Sequence, residues 1–217
     1  WKITDNMSSA IIVLGIAVAM LFVAVTDYKQ FIALGCAGIA GVAGIVYLAI
    51  SSETSGEFRM QRIRAWLNPE AYSSDESFQT LQGLYAIGSG GFFGKGLGNS
   101  AQKMVIPEAQ NDMILAVICE ELGVFGAIVL LTMFGILLYR LMFIAQNAPD
   151  MYGSLMVTGI FAHIALQVVL NVAVVLNVIP TTGITLPFIS YGGTSMVFLL
   201  AEMGIALSVS NRIEFDE

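Results

Sequence analysis

Two acidic residues beside an apolar run are the strongest candidates for chemistry in this sequence. Asp112 stands directly before a run that begins at Met113, with Glu108 and Lys103 shortly upstream. A carboxylate at the boundary between water and lipid could act as a general base towards the polar head of an amphiphile. The alternative is structural, because an Asp here could also cap the helix that begins near Met113. Spacing alone leaves both interpretations open.

A second pair of carboxylates, Glu120 and Glu121, follows inside the same apolar run. On a helix rising about 1.5 Å per residue, they lie roughly 12 to 14 Å deeper than Asp112. Carboxylates within a membrane are costly, face the protein interior and usually pair or line a polar cavity. His163 and Glu202 also lie deep in apolar runs. We favour a hydrogen-bonded packing role for His163, whereas Glu202 fits an ion partner in a cavity or a proton relay equally well.

Three arginines, Arg59, Arg62 and Arg64, cluster within a few residues of one another. One interpretation is contact with anionic lipid headgroups. The other is recognition of a pyrophosphate, which the arginine guanidinium can grip in a bidentate fork.

A glycine cluster surrounds Lys95 and suggests a phosphate-binding loop, because bare backbone amides can approach an anion closely. Its members are Gly88, Gly90, Gly91, Gly94, Gly96 and Gly98. The Walker pattern fails, however, since position 89 is Ser and Gly96 follows Lys95 where Ser or Thr would be needed. We therefore favour a tight turn that requires positive φ angles.

The composition indicates a membrane protein. Hydrophobic residues make up 57% of the chain and charged residues 12%, against roughly 25% charged in soluble domains. Residues 151–201 contain no Asp, Glu, Lys or Arg and are interrupted by Pro180, Gly183 and Pro187. Since one crossing needs roughly 20 apolar residues, this run holds two crossings and a turn. The net charge of -7 makes nucleic acid an unexpected partner.

Apolar runs predict an all-α, polytopic bundle of five membrane helices in a single domain over residues 1–217. The spans are about 7–26, 30–50, 113–139, 151–179 and 194–209. Lys29, Arg140 and Arg212 stand at alternate span boundaries, which marks those ends as cytoplasmic. The segment of about 51–111 is then one large external loop, rich enough in apolar residues to be ordered as short amphipathic helices. An external start implies further spans upstream.

Three stretches together resemble the SEDS family of shape, elongation, division and sporulation proteins, the membrane peptidoglycan glycosyltransferases that include FtsW and RodA. They are residues 94–103, residues 107–123 with Pro107-Glu108, Asp112 and Glu120-Glu121-Leu122-Gly123, and residues 180–195 with Leu186-Pro187-Phe188-Ile189-Ser190-Tyr191-Gly192-Gly193. The resemblance covers essentially the whole chain, as spans six to ten of a ten-span protein. Residues 99–103 and Thr185 fit division members better than RodA, although a sporulation paralogue would look much the same.

The resemblance implies polymerisation of lipid II, an undecaprenyl-pyrophosphate disaccharide pentapeptide, at the outer face of the bacterial cytoplasmic membrane. Asp112 matches the family's essential external acid and would be the catalytic base. Lys103, Arg62 and Arg64 would contact the donor pyrophosphate, and Glu108 would shape the same pocket. The segment bordering the lipid-substrate groove would include Ser190, Tyr191, Gly192 and Gly193.

The leaving pyrophosphate needs compensation by Arg, Lys or a divalent cation, Mg²⁺ or Mn²⁺, and no organic cofactor is expected. The resemblance also implies a class B penicillin-binding protein and other division proteins as partners, besides membrane lipid. Two other functions stay open: a flippase or transporter for the same lipid, which would also need broken helices and buried carboxylates, and a noncatalytic scaffold for a transpeptidase.

Overall fold

The computed structural model describes residues 7–25, 66 and 75–213, and within them all regular structure is helical. The helices are α1 (Met7–Ala24), α2 (Asp75–Gly90), α3 (Ile114–Gln146), α4 (Met151–Val175) and α5 (Gly193–Ser210), with a short 3₁₀ helix at Gln102–Met104. This confirms the predicted all-α class. The predicted span at about 30–50 and the cluster of Arg59, Arg62 and Arg64 lie outside the described residues.

Three of the described helices, α3, α4 and α5, are long and apolar enough to cross a membrane, with mean hydropathies of 2.4, 1.9 and 1.5. Within α1, Ser9–Ala24 forms a shorter apolar helix. Helix α3 runs to Gln146, past the predicted end near 139, because Leu141, Ile144 and Ala145 are still buried against the bundle. A charged residue such as Arg140 therefore does not end this helix.

Helix α4 is central and packs against α1, α3 and α5. Its buried positions include Val157, Ile160, Ile164 and Val168, whose spacing of three and four residues defines one apolar face. Small residues bring α1 close to α4, since Gly15 lies against Leu166. Helix α4 therefore lies in the middle of the described bundle.

Helix α2 is the longer of the two described helices in the predicted loop. It contacts the first turns of α3 through Gly83, Ala86 and Gly90, which lie on one face of the helix. A Cβ atom on Gly90 would overlap the carbonyl of Cys119. Glycine and alanine thus let α2 lie directly on the backbone of α3 and fix its position there.

Helix α3 is broken at Gly123, where φ is 69° and ψ is -172°. The break frees backbone groups that would otherwise be bonded along the helix, and the glycine cluster binds them. The bonds run from Lys95 N to Glu120 O (2.9 Å), Gly96 N to Glu121 O (2.9 Å), Val124 N to Gly91 O (3.0 Å) and Phe125 N to Phe92 O (3.1 Å). Non-helical backbone in a membrane protein requires such covering partners.

Four of the six clustered glycines form a turn, as predicted, whereas Gly88 and Gly90 belong to the end of α2. Positive φ angles occur at Gly91, Gly94, Gly96 and Gly98. A Cβ atom on Gly94 would overlap the backbone of Glu121. These four glycines are needed because the chain turns here, and Gly94 also touches α3.

Candidate functional site

Asp112 lies immediately before α3, but it does not cap the helix. The N-cap residue is Met113, and no side chain caps the helix there. The capping interpretation of Asp112 is therefore wrong, because the helix begins one residue later than that role requires. Instead, the Asp112 carboxylate accepts a hydrogen bond at Oδ1 from Gln79 Nε2 of α2, at 3.1 Å.

The pKa of Asp112 is raised above its ordinary value. Burial is the largest cause, because it removes water from the charged form, and the nearby Glu108 carboxylate raises the pKa further. Hydrogen bonds from the backbone amides of Asp112 and Met113 and from Gln79 act in the opposite direction but do not cancel the effect of burial. A carboxylate with a raised pKa is a stronger proton acceptor once it is ionised.

The loop that carries Asp112 is held in place by the packing of its buried apolar residues. Ile106, Ala109 and Met113 are almost completely buried, whereas Glu108 is exposed. Glu108 adopts a φ of 49°, a backbone conformation that is uncommon for a non-glycine residue. Its carboxylate accepts a 2.7 Å hydrogen bond from Asn111 Nδ2. The loop is therefore held in one shape that presents Glu108 beside Asp112.

The segment between α4 and α5 closes onto this loop. The backbone amide of Tyr191 donates to the carbonyl of Gln110 at 2.9 Å, and the Tyr191 side chain is 77% exposed. The Ser190 hydroxyl stabilises a turn within the segment, because it accepts a hydrogen bond from the backbone amide of Leu186 at 2.7 Å. The predicted groove residue Tyr191 therefore lies at the site, while the Ser190 side chain closes a turn.

Asn171 of α4 connects the Asp112 loop with the segment between α4 and α5. Its side chain is fully buried, and Nδ2 donates to the carbonyls of Asp112 at 2.8 Å and Ile184 at 2.7 Å. Both acceptors are backbone oxygens, so both protons of the Asn171 amide are used. One side chain thus fixes the main chain at Asp112 and, through Ile184, the segment that leads to Tyr191.

Glu120 belongs to a separate cluster. The carboxylate is fully buried and forms an ion pair with Lys95 Nζ at 2.6 Å. It also accepts hydrogen bonds from Ser100 Oγ (2.5 Å), Ser89 Oγ (3.3 Å), Gln102 N (3.2 Å) and Ala101 N (3.3 Å). With its oxygens engaged in this way, Glu120 anchors the glycine cluster to α3 and is not exposed to a substrate.

The remaining intramembrane acids differ from Glu120. Glu121 Oε1 is buried and has no hydrogen-bond partner among the described residues. His163 Nδ1 lies 2.9 Å from Glu202 Oε1, so the hydrogen bond predicted for His163 is confirmed and its partner is Glu202. The pair lines an open cleft of about 440 Å³ between α1, α4 and α5, together with Gln167.

The structure brings some predicted site residues together and separates others. Glu108 and Tyr191 lie with Asp112 around one loop. Lys103 is exposed on the 3₁₀ helix upstream, Gly192 is the N-cap of α5 and Gly193 its first residue. Arg62 and Arg64 lie outside the described residues.

Sequence reasoning missed Gln79 and Asn171. Nothing in the sequence distinguishes Gln79 from an ordinary surface glutamine. For Asn171 the sequence does contain an indication. His163, Gln167 and Asn171 recur every four residues in the uncharged run, so they share one side of a helix.

No group of three His, Cys, Asp or Glu side chains within the described ranges could hold a metal ion. Asp112 and Glu108 form a pair of carboxylates close enough to influence each other. Mg²⁺ is commonly held by one or two carboxylates together with substrate phosphates. Two carboxylates alone do not complete a cation site at this loop.

Comparison with known proteins gives a family match and close relatives. The sequence profile of the FtsW/RodA/SpoVE family, described as cell cycle proteins, matches residues 2–214. Stage V sporulation protein E of Bacillus subtilis (strain 168) is 43% identical over 206 residues, covering 94% of this chain and 54% of that protein. A probable peptidoglycan glycosyltransferase FtsW of Trichlorobacter lovleyi is 42% identical over 206 residues, covering 94% and 52%. The chain spans about half the length of these curated relatives.

A solved structure shows the same fold. It is described as the structural coordination of polymerization and crosslinking by a peptidoglycan synthase complex. The matching chain superposes with a TM-score of 0.76 at 27% identity, and the match covers 99% of this chain and 58% of that one. The polytopic helical fold is therefore shared over nearly all of the present sequence.

Proposed function

The chain belongs to the FtsW/RodA/SpoVE family of cell cycle proteins, and we propose that it forms the acid-bearing half of a membrane peptidoglycan glycosyltransferase. The observation that supports this most directly is Asp112, a half-buried carboxylate with a raised pKa at the start of a membrane helix. The family resemblance first drawn from three sequence stretches is confirmed by the profile match.

The reaction we propose is the polymerisation of lipid II. The 4-hydroxyl oxygen of one sugar attacks the anomeric carbon of a lipid-linked donor and forms the new glycosidic bond. The bond from that carbon to the donor pyrophosphate breaks, and undecaprenyl pyrophosphate leaves with the electron pair. Asp112 accepts the hydroxyl proton, a role that suits a carboxylate whose pKa lies closer to neutrality than usual.

The charge on the leaving pyrophosphate needs a positive counterpart. Lys103 is exposed on the loop that leads to Asp112 and is the described candidate, with Arg62 and Arg64 as further candidates from the sequence. The exposed Glu108 carboxylate could help to hold a divalent cation, which would supply the same compensation.

The segment between α4 and α5 is proposed to border the lipid substrate. Tyr191 is largely exposed and bonded to the Asp112 loop by its backbone amide, which supports a role for its ring in contacting a sugar or lipid head. Ser190 would support the groove by holding its turn rather than by touching substrate. Gly192 and Gly193 lie where the segment enters α5.

The location and partners of the protein are part of the same proposal. The described helices fit a multi-pass membrane protein, and we place it in the bacterial cytoplasmic membrane with Asp112 at the outer face. We propose a class B penicillin-binding protein as its partner, together with other division proteins. Support comes from the matched structure, which is described as a peptidoglycan synthase complex that couples polymerization and crosslinking.

The experiment is polymerisation of purified lipid II by the full-length protein with its transpeptidase partner in detergent, analysed by gel electrophoresis of the glycan strands. Mg²⁺, Mn²⁺ and chelator are compared. Polymer formed in detergent, where there are no two compartments, is the expected result. Movement of lipid II across vesicles without polymer would indicate a transporter instead. Absence of both, with the transpeptidase still recruited, would indicate a scaffold.

A further inference from the structure

Gln79 of α2, a side chain outside the Asp112 loop, contacts the Asp112 carboxylate. Its Nε2 atom lies 3.1 Å from Asp112 Oδ1 and 3.5 Å from the carbonyl oxygen of Pro107. Both neighbours are acceptors, so the nitrogen and not the oxygen of the Gln79 amide must face them. The arrangement uses the amide as a double donor between the acid and its own loop.

We propose that Gln79 is a positioning residue that holds the Asp112 carboxylate in the orientation needed to accept the substrate proton. The inference rests on the glycosyl transfer proposed above. An aspartate carboxylate rotates broadly about its last side-chain bond. A donor fixed at Oδ1 restricts that rotation, and its second bond to Pro107 ties the same donor to the loop.

The placement of Gln79 is rigid enough for this role. Helix α2 lies on α3 through Gly83, Ala86 and Gly90, and α3 is the helix that follows Asp112 directly. The donor and the acid are therefore carried by two elements in direct backbone contact. The position of the acid matters for proton transfer, because small displacements of catalytic groups lower rates strongly.

The neutrality of Gln79 matters as much as its position. Glu108 already acts on Asp112 as a like charge. A carboxylate in place of the Gln79 amide would add a second like charge at hydrogen-bond distance and would remove a donor from the ionised acid. Two carboxylates in such a contact share a proton, and one of them ionises only at higher pH.

The test is the pH dependence of lipid II polymerisation by the full-length protein carrying Gln79→Glu. The acidic limb of the kcat profile should move to higher pH by about one unit or more, and the rate should recover at alkaline pH with KM changed less than about threefold. Gln79→Met keeps the side-chain length but has no donor. It should lower kcat at every pH and move the acidic limb in the same direction by a smaller amount.

Gln82→Glu is the matched control, since it makes the same chemical change on the same helix at a residue with no hydrogen bond to Asp112. Its profile should superpose on that of the parent protein. If Gln79→Glu and Gln79→Met both lower the rate equally at all pH values, Gln79 only supports the fold and the inference is wrong. If Gln79→Glu does not fold, the shift in Gln79→Met decides. A parent protein that makes no polymer would refute the proposed function instead.

Discussion

The side chain of Asn171 donates a 2.8 Å hydrogen bond to the backbone carbonyl of Asp112, across a separation of 59 residues. Its second proton goes to the carbonyl of Ile184 at 2.7 Å. One buried amide therefore holds the residue proposed as the base and the segment that closes over it. The position of the Asp112 loop therefore depends on α4.

Asn171→Leu is expected to destabilise the protein and to lower its activity. The substitution leaves two buried carbonyls without donors, each at a cost of about 1 to 3 kcal/mol. Thermal unfolding in detergent should show a clear fall in Tm. Asn211→Leu is the control, because Asn211 is exposed at the end of α5, and it should change Tm little. Equal Tm values for Asn171→Leu and the parent protein would show that this amide does not hold the two segments.

Lys95 and Glu120 should behave as a coupled pair. Lys95→Met leaves a fully buried carboxylate without its cation, which costs on the order of 3 kcal/mol. Glu120→Gln should cost less, because the Lys95 side chain is 37% exposed and can turn to water. A double-mutant cycle on Tm should show Glu120→Gln recovering part of the loss caused by Lys95→Met. Additive losses would mean that the ion pair contributes nothing of its own.

Gly123→Ala should disrupt the break in α3. A Cβ atom there would overlap the carbonyl of Phe92, and φ is positive, so both the contact and the backbone conformation are lost. We expect poor folding or a large fall in Tm. Gly135→Ala lies in the same helix with open space around it and should be neutral or slightly stabilising. Comparable behaviour of the two variants would contradict the docking of the glycine cluster onto α3.

Asp112→Asn should raise Tm at neutral pH. The pKa of Asp112 is raised in the folded protein, so the unfolded chain loses its proton at a lower pH than the folded protein does. The free energy of unfolding therefore falls as pH rises from the ordinary pKa of about 3.9 to the higher pKa of the folded state. The Asn variant escapes that cost, so its advantage should be present at neutral pH and vanish in acid, where Asp112 is protonated in both states. An advantage that grows towards low pH would contradict the raised pKa.

Sequence patterns predicted the described apolar helices α1, α3, α4 and α5 because each is a long apolar run, which is visible in the sequence. They also pointed to Asp112, whose place before the run at Met113 is visible in the sequence. The break at Gly123 was not predicted, since a positive φ leaves no trace in hydropathy. The charge of Arg140 predicted that helix α3 ends there. The helix continues to Gln146 because residues after Arg140 are still buried against the bundle.

The partners of Asp112 could not be predicted because they are tertiary. Gln79 and Asn171 lie 33 and 59 residues from Asp112, and neither belongs to a local motif with it. Glu120 was placed correctly as a buried acid, but its partner Lys95 was expected only to belong to a turn. The contact of that turn with the broken helix is what pairs them.

The central claim is that Asp112 accepts the proton in glycosyl transfer, and its most direct test is Asp112→Asn in the full-length protein with purified lipid II. The variant keeps the shape of the side chain, an acceptor for Gln79 and the backbone carbonyl that Asn171 holds. Loss of a general base lowers a rate by about 100-fold or more, so we expect a folded protein that forms almost no glycan polymer. Polymer formed at the parent rate would remove Asp112 from the mechanism.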